Sequence, residues 1–149
     1  MRSKPGQSRP GPKLFTYGSL MYADIFTAVS GEHCPARTAR LAGFRRCRVK
    51  GQAYPGIRPD AQGEVAGVLY EGVSDTAMTR LDEFEGAEYL RERLAVVGED
   101  GVVTDAECYV FRPECYSRLL PDDWDVQEFE QVGKARFIRT FFANWRSRQ

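Results

Sequence analysis

The chain has 149 residues, a length that fits one domain with a proper hydrophobic core. Hydrophobic residues make up 42% and charged residues 28%, as in ordinary globular proteins. Lysine plus arginine and aspartate plus glutamate both number 21, so no excess of basic charge argues for a nucleic-acid partner. No apolar run reaches the roughly 18 residues that a membrane-spanning helix needs, so no membrane partner is expected either.

The first twelve residues differ in composition from the rest of the chain. Segment 1–12 is basic and rich in Gly, Pro and Ser, without the apolar residues that could build a core. We predict a flexible tail at 1–12, followed by one domain at 13–149. Because a secretory signal needs an apolar stretch, the tail does not qualify as one, and a cytoplasmic location is expected.

The cysteines and the histidine do not form a recognisable metal site. Four cysteines and one histidine are scattered without a Cys-x-x-Cys pair, whereas a zinc site needs ligands at short spacing. His33 and Cys34 are adjacent, but neighbours on an extended segment point in opposite directions, which disfavours a nucleophile–base pair. We therefore expect no metal at these residues.

The first half of the chain is predicted to consist mainly of short strands. Alternating apolar residues mark the clearest of them, Glu64–Tyr70. The proline-containing segment Tyr54–Pro59 is predicted to be a loop or an edge segment. The other elements in this half are a strand at Leu14–Tyr17, a short helix at Met21–Val29 and one or two strands within Thr38–Val49.

Residues Val73–Glu85 show the clearest helical pattern. Ser74 or Asp75 can cap its N-terminus, because either side chain accepts a hydrogen bond from the free N–H groups of the first turn. Gly86 can end the helix by adopting the left-handed conformation. Three apolar residues fall on one face of this helix: Ala77, Leu81 and Phe84.

The second half is predicted to contain a β-hairpin and a C-terminal helix. Tyr89–Val97 and Thr104–Phe111 flank the Asp100-Gly101 pair, which is a strong turn signal. Between residues 124 and 145, aromatic side chains recur every four residues, as on an amphipathic helix: Phe137, Phe141 and Trp145. Strands outnumber helices, and most connections are too short for parallel crossovers. We therefore predict an α+β fold, a small mixed, mostly antiparallel β-barrel with flanking helices.

A glycine-containing turn follows the first predicted strand. Gly18 and Ser19 lie between this strand and the predicted helix, so successive backbone N–H groups can point into one concavity and bind an anion. A helix N-terminus directly afterwards would add partial positive charge. From these residues alone, a plain structural turn is the favoured interpretation. The chain lacks a Gly-x-x-x-x-Gly-Lys pattern, which excludes a nucleotide phosphate loop of that type.

Four acidic residues cluster at the end of the predicted helix. Asp82 and Glu83 lie off the apolar face and are predicted to be solvated, whereas Glu85 lies near the edge of that face. Burial and the negative end of the helix dipole would both raise the pKa of Glu85, as a general acid/base requires. The competing interpretation, which is favoured when this segment is considered alone, is that all four acids lie on the surface and pair with arginines. The residues concerned are Asp82, Glu83, Glu85 and Glu88, with Arg80, Arg91 and Arg93 as partners.

Two further groups of residues have less specific interpretations. The tyrosines on or beside predicted strands could line a pocket, although each is more often core or rim: Tyr17, Tyr54, Tyr89 and Tyr109. The arginine-rich stretch from Arg40 to Lys50 could suggest RNA binding. Because its basic residues alternate with apolar ones, the outer face of a sheet is the better interpretation.

Several motifs occur along the chain in a fixed order. They are Phe15-Thr16-Tyr17-Gly18-Ser19-Leu20, Tyr54-Pro55-Gly56-Ile57, the strand from Gly63 to Tyr70, Leu81-Asp82-Glu83-Phe84-Glu85-Gly86 and Glu88-Tyr89-Leu90-Arg91. Together they resemble the γ-glutamylcyclotransferase-like superfamily, in its compact γ-glutamylamine cyclotransferase-like branch. The resemblance spans about residues 14 to 111.

This resemblance implies a small mixed β-barrel and a reaction that releases 5-oxoproline from a γ-glutamyl compound. The substrate's own amine is the nucleophile, so no metal, cofactor or protein nucleophile is expected. The resemblance selects Glu85 over Glu83 as the catalytic acid/base. It implies a substrate-binding set made of Tyr17, Gly18, Ser19, Leu20, Tyr54 and Tyr89. The alternative is a non-catalytic module that binds a small metabolite or a partner protein in the same cavity.

Overall fold

The structure is a computed structural model that describes residues 12–139. Its five strands form a closed barrel in the order β1-β3-β2-β4-β5. The strands are β1 (Leu14–Thr16), β2 (Ala36–Arg48), β3 (Pro55–Tyr70), β4 (Tyr89–Gly98) and β5 (Val103–Phe111). β1 runs parallel to β5, and every other pairing is antiparallel. The predicted fold, a mixed and mostly antiparallel barrel, is confirmed.

Helices flank the barrel on its outside. They are α1 (Ala23–Ser30), α2 (Asp75–Glu85), α3 (Val126–Glu128) and α4 (Lys134–Phe137), with a π-helical segment at Phe129–Gly133 and 3₁₀ turns at Ser19–Met21 and Pro113–Arg118. α1 packs against α2. Across residues 12–139, none of the helices combines the length and the apolar character needed to cross a bilayer.

Strand β3 differs most from the prediction, because it runs without interruption from Pro55 to Tyr70. The predicted loop or edge segment Tyr54–Pro59 is therefore wrong as a separate element. Prolines are tolerated at the first residue of a strand and at irregularities in the ladder. Pro55 is the first residue of β3, and Pro59 pairs with Phe44 where the register of the β2–β3 ladder shifts.

Helix α2 follows the predicted pattern closely. Ser74 is the cap, since its side chain accepts a hydrogen bond from the N–H of Ala77 at 3.1 Å. Gly86 ends the helix with φ of 81° and ψ of −163°. Its φ is positive as predicted, but this conformation is not left-handed helical, and it turns the chain directly into β4. The predicted apolar face is buried: Ala77, Leu81 and Phe84.

The other predicted elements agree with the structure within two or three residues. The hairpin of β4 and β5 is confirmed. The helix predicted to begin at Met21 begins at Ala23, because a 3₁₀ turn comes first. Phe137 is buried, as the C-terminal pattern predicts. The remainder of that pattern, Phe141 and Trp145, lies outside the described residues, as does the predicted tail except for Pro12.

The core is divided into two clusters of buried side chains. One cluster fills the barrel with residues from the strands and includes Phe15, Leu41, Ile57, Leu69 and Cys108. The other lies between the barrel and the helices and includes Phe26, Tyr70, Leu81, Tyr89 and Phe111. The end of β1 and the end of α2 meet where these clusters adjoin, and that junction positions the pocket.

Candidate functional site

A pocket lies between the end of β1 and the end of α2. It brings together all seven residues that the sequence analysis selected, although their roles stay predictions: Tyr17, Gly18, Ser19, Leu20, Tyr54, Glu85 and Tyr89. The remaining wall consists of Phe15, Thr16, Pro55 and Tyr109.

The turn after β1 forms one wall of this pocket. A Cβ atom on Gly18 would lie 2.8 Å from Cδ of Pro55, so only glycine fits against the rigid proline ring. Within residues 12–139, no acceptor bonds to the backbone N–H groups of Gly18, Ser19 and Leu20. Since α1 begins only at Ala23, its dipole acts at a greater distance from Ser19 than the prediction supposed.

Glu85 is the last residue of α2 and lines the same pocket as this turn. The residue is partly exposed through the pocket. No hydrogen bond or ion pair holds its carboxyl group within the part of the chain that the structure describes. Burial raises the pKa of Glu85 to about 8, and the nearby negative charge of Asp82 adds a smaller contribution. The carboxyl group can therefore gain and lose a proton near neutral pH.

The interior tyrosines remain protonated at neutral pH. Burial raises the pKa of Tyr17 and of Tyr89 well above the ordinary value. The Tyr17 hydroxyl donates to the carbonyl of Tyr109, and the Tyr89 hydroxyl donates to the carbonyl of Pro55, each at 2.6 Å. These phenols are therefore hydrogen-bonding groups, and neither competes with Glu85 as a base.

Asp82 holds a third tyrosine of the pocket wall. Its carboxylate accepts hydrogen bonds from the Tyr109 hydroxyl at 2.7 Å and from Nε of Arg91 at 2.8 Å. Asp82 is partly solvated as predicted, with 42% of its side chain exposed, but it also makes these two contacts. Glu83 is exposed as predicted. Sequence patterns missed the contact because Tyr109 comes from β5, at the far end of the hairpin.

A carboxylate with bonding partners lies next to Tyr54, outside the residues that line the pocket, and the group of Tyr54, Glu88 and Arg118 is termed the rim. Glu88 accepts a hydrogen bond from the Tyr54 hydroxyl at 2.9 Å and forms an ion pair with Arg118. The interpretation that the acids pair with arginines thus holds for Asp82 and Glu88, although Glu88 pairs with an arginine that was not among the predicted partners. It does not hold for Glu85, whose carboxyl group has no such contact among the described residues.

One residue near the site was assigned to the wrong environment. Arg46 was predicted to lie on the outer face of a sheet, but Nη1 of its guanidinium donates to the backbone carbonyl of Tyr17 at 3.0 Å. Its side chain is only 14% exposed. The alternation of arginines with apolar residues along β2 has no feature that separates Arg46 from its neighbours, so this contact was not predictable from the pattern.

Comparisons with known proteins agree with this architecture. A family model described as "Gamma-glutamyl cyclotransferase, AIG2-like" matches residues 14–126. AIG2-like protein C of Arabidopsis thaliana is 35% identical over 130 residues, which cover 84% of the chain and 73% of that protein. A solution structure of a protein from Arabidopsis thaliana has a TM-score of 0.65 at 31% identity, with 87% of each chain covered.

A further solved structure shows the likeness of fold alone. It is named gamma-glutamyl cyclotransferase and has a TM-score of 0.60 at 19% identity, over 67% of this chain and 66% of that one. The family model, by contrast, covers well over half of the chain, including the β1 turn, α2 and the rim. The chain therefore belongs to the γ-glutamyl cyclotransferase, AIG2-like family.

Proposed function

We propose that the protein is an enzyme that cyclises a γ-glutamyl amide to 5-oxoproline and releases the amine. The observation that carries this proposal is Glu85, a pocket carboxyl group without a bonding partner among the described residues and with a pKa raised to about 8. A group that titrates near the working pH is suited to move protons in both directions. Membership of the γ-glutamyl cyclotransferase, AIG2-like family supports the reaction class.

The pocket offers complementary groups for the two charges of a γ-glutamyl substrate. The backbone N–H groups of Gly18, Ser19 and Leu20 are assigned to an anionic oxygen, either the α-carboxylate or the oxyanion that develops on the γ-carbonyl. The hydroxyl of Ser19 lies on the same wall. The oxygens of Tyr17 and Tyr89 have lone pairs that can accept hydrogen bonds from the α-ammonium group.

In the first step, ionised Glu85 accepts a proton from the α-ammonium group, and the resulting amine attacks the γ-carbonyl carbon. A carbon–nitrogen bond forms, and the π electrons of the carbonyl move to its oxygen. Protonated Glu85 then donates to the amide nitrogen, the bond from carbon to that nitrogen breaks, and the carbonyl re-forms. A second proton passes by the same route from the ring nitrogen to the amine. The amine leaves as an ammonium ion, so the reaction balances without another reactant.

Orientation provides the remaining advantage. A γ-glutamyl chain in water samples many conformations, and only those with the amine close to the γ-carbonyl can close the ring. When the backbone N–H groups hold the γ-carbonyl oxygen and the tyrosine oxygens hold the α-ammonium group, such conformations are selected before the chemical step. The aromatic wall formed by Tyr17, Tyr89 and Tyr109 limits the water around the reacting atoms.

The test is 5-oxoproline release over a panel of γ-glutamyl amines, γ-glutamyl amino acids and glutathione. The wild type should turn over at least one of them. Glu85→Gln should lower release by about 10²- to 10⁴-fold, whereas Glu83→Gln, which changes an exposed acid on the same helix, should retain it. Binding of a panel member without turnover would favour the non-catalytic module instead. Full activity of Glu85→Gln would overturn the assignment of the acid/base.

A further inference from the structure

Arg46 contacts Tyr17, a residue of the pocket wall, without lining the pocket itself. It belongs to β2 and does not line the pocket, yet its Nη1 donates to the carbonyl oxygen of Tyr17 at 3.0 Å. This carbonyl belongs to the peptide group between Tyr17 and Gly18, and both residues line the pocket. The guanidinium therefore contacts the outer side of the same peptide group whose inner side faces the cavity.

Peptide geometry determines what this contact does. The described residues contain no cis peptide bond. In a planar trans peptide, the C=O and N–H groups point in opposite directions, so a carbonyl of Tyr17 held towards Arg46 directs the N–H of Gly18 away from it, towards the pocket. That N–H has no acceptor among residues 12–139. A charged donor on the carbonyl also polarises the peptide and strengthens its N–H as a donor.

The guanidinium is itself fixed in place. Its Nε and Nη2 donate to the two carboxylate oxygens of Asp123 at 2.9 and 3.4 Å. The ring of Trp124 lies against it, with its centroid 5.2 Å from Cζ. Three nitrogens of one planar group thus donate to three oxygen atoms on two residues, an arrangement that the single ammonium of lysine cannot reproduce.

We propose that Arg46 is a positioning residue that aims the N–H of Gly18 at an anionic oxygen of the substrate. The residue acts through the Tyr17–Gly18 peptide and does not touch the substrate. As a statement about catalysis, this inference rests on the proposed cyclisation reaction. As a statement about the orientation of the peptide, it can be tested in the protein without substrate.

The matched pair for the test is Arg46→Met against Arg45→Met. Arg45 is the preceding residue of β2, and its Nη1 donates to the carbonyl of Pro121 at 3.3 Å, in the loop that also contains Asp123. Both variants remove one guanidinium and its hydrogen bonding to that loop, which is one bond for Arg45 and two for Arg46, and Arg45→Met also removes an ion pair with Asp60. Only Arg46 is bonded to Tyr17. We expect kcat/KM to fall roughly 10- to 100-fold in Arg46→Met, less than the full loss of an oxyanion donor, and less than about threefold in Arg45→Met.

A spectroscopic measurement separates positioning from general stabilisation. In ¹H–¹⁵N spectra of the free protein, the Gly18 amide should move in Arg46→Met and stay in place in Arg45→Met. In the wild type, saturation with 5-oxoproline should shift the Gly18 amide proton, because this N–H becomes a donor to the product. The shift on saturation should be lost in Arg46→Met. If Arg46→Met does not fold, the wild-type titration decides, since an unmoved Gly18 amide overturns the inference.

Different experimental results would overturn the role of Arg46 and the proposed cyclisation reaction. A wild type that turns over no γ-glutamyl compound overturns the reaction, while the Gly18 resonance in the three free proteins still decides whether Arg46 orients the peptide. An active wild type with equal kcat/KM in Arg46→Met and Arg45→Met overturns the inference alone. Arg46→Lys should lie between wild type and Arg46→Met, and wild-type kcat/KM in that variant would also contradict the inference.

Discussion

The interior of the pocket and its rim each contain a glutamate, but the two carboxyl groups differ in their bonding partners. In the interior, Glu85 has no bonding partner among the described residues, and burial raises its pKa to about 8. On the rim, three residues further along, Glu88 accepts from the Tyr54 hydroxyl and pairs with Arg118. Desolvation without a partner favours the protonated form, whereas pairing fixes a carboxylate in one geometry. The first environment suits proton transfer, and the second suits maintenance of the pocket's shape.

The largest difference between interior and rim is expected when each glutamate is replaced by glutamine in turn. Glu85→Gln should lower kcat by about 10²- to 10⁴-fold, because the amide can neither accept nor return the proton. Glu88→Gln should lower kcat less than about tenfold, because its amide oxygen can still accept from Tyr54. Steady-state release of 5-oxoproline measures both. Similar losses in the two variants would remove the distinction between interior and rim.

The substitution Glu85→Gln should lower activity but raise the free energy of unfolding. The unfolded chain ionises Glu85 near its ordinary pKa of 4.5, whereas the folded protein retains the proton up to about 8. Between these values the folded state binds more protons than the unfolded state, so Glu85 lowers stability progressively as the pH rises. Above pH 8, the free energy of unfolding of Glu85→Gln should therefore exceed that of the wild type by up to about 5 kcal/mol.

Urea unfolding across this pH range provides the measurement. The advantage of Glu85→Gln should shrink as the pH falls from 8 to below 4.5, because Glu85 is protonated in both states of the wild type only below its ordinary pKa. As the control on the rim, Glu88→Gln should lose about 1 kcal/mol, because its neutral amide is a weaker acceptor for Arg118 and Tyr54. A Glu85→Gln stability difference that does not change with pH would contradict the raised pKa.

The contact between Gly18 and Pro55 allows a smaller test of the interior. Because a Cβ at Gly18 would lie 2.8 Å from Cδ of the proline, Gly18→Ala should displace the turn and lower kcat/KM by about tenfold. Pro55→Ala removes the opposing ring atoms. A double-mutant cycle should show a coupling of about 1 kcal/mol, with the double variant more active than Gly18→Ala alone. Strictly additive effects would indicate that the turn tolerates the added methyl group elsewhere.

The smallest effect is expected on the rim. Tyr54→Phe removes a hydroxyl that donates to Glu88, while the ion pair between Glu88 and Arg118 remains. We expect an unchanged kcat and a KM altered less than about fivefold, which corresponds to roughly 1 kcal/mol or less. Initial rates over a range of substrate concentrations separate the two parameters. A large fall in kcat would place Tyr54 with the interior groups.

Local signals explain which parts of the fold were predictable. Ser74 caps α2 because a serine before an apolar helical face satisfies free N–H groups, and the Asp100-Gly101 pair marks the hairpin turn. The uninterrupted strand β3 was missed because Pro59 occupies a permitted position only by virtue of the shifted register with β2. Such a register depends on two strands together and cannot be predicted from the sequence of one of them.

The same distinction applies to the candidate site. Its residues could be collected in advance from motifs in a fixed order, and all of them line one pocket. Their bonding could not be predicted, because it depends on residues distant in sequence. Arg118 pairs with Glu88 across 30 positions, and Arg46 reaches Tyr17 across 29. Whether a glutamate is paired or isolated is decided by such contacts.

Titration of the Glu85 carboxyl group tests the central claim most directly, and it does not depend on the identity of the substrate. In protein labelled with ¹³C at the glutamate side-chain carboxyls, the resonance absent from Glu85→Gln identifies Glu85. The account predicts that this resonance titrates with a pKa near 8, well above the ordinary value of 4.5. A Glu85 resonance that titrates near 4.5 would contradict the assignment of this residue as an acid/base tuned to neutral pH.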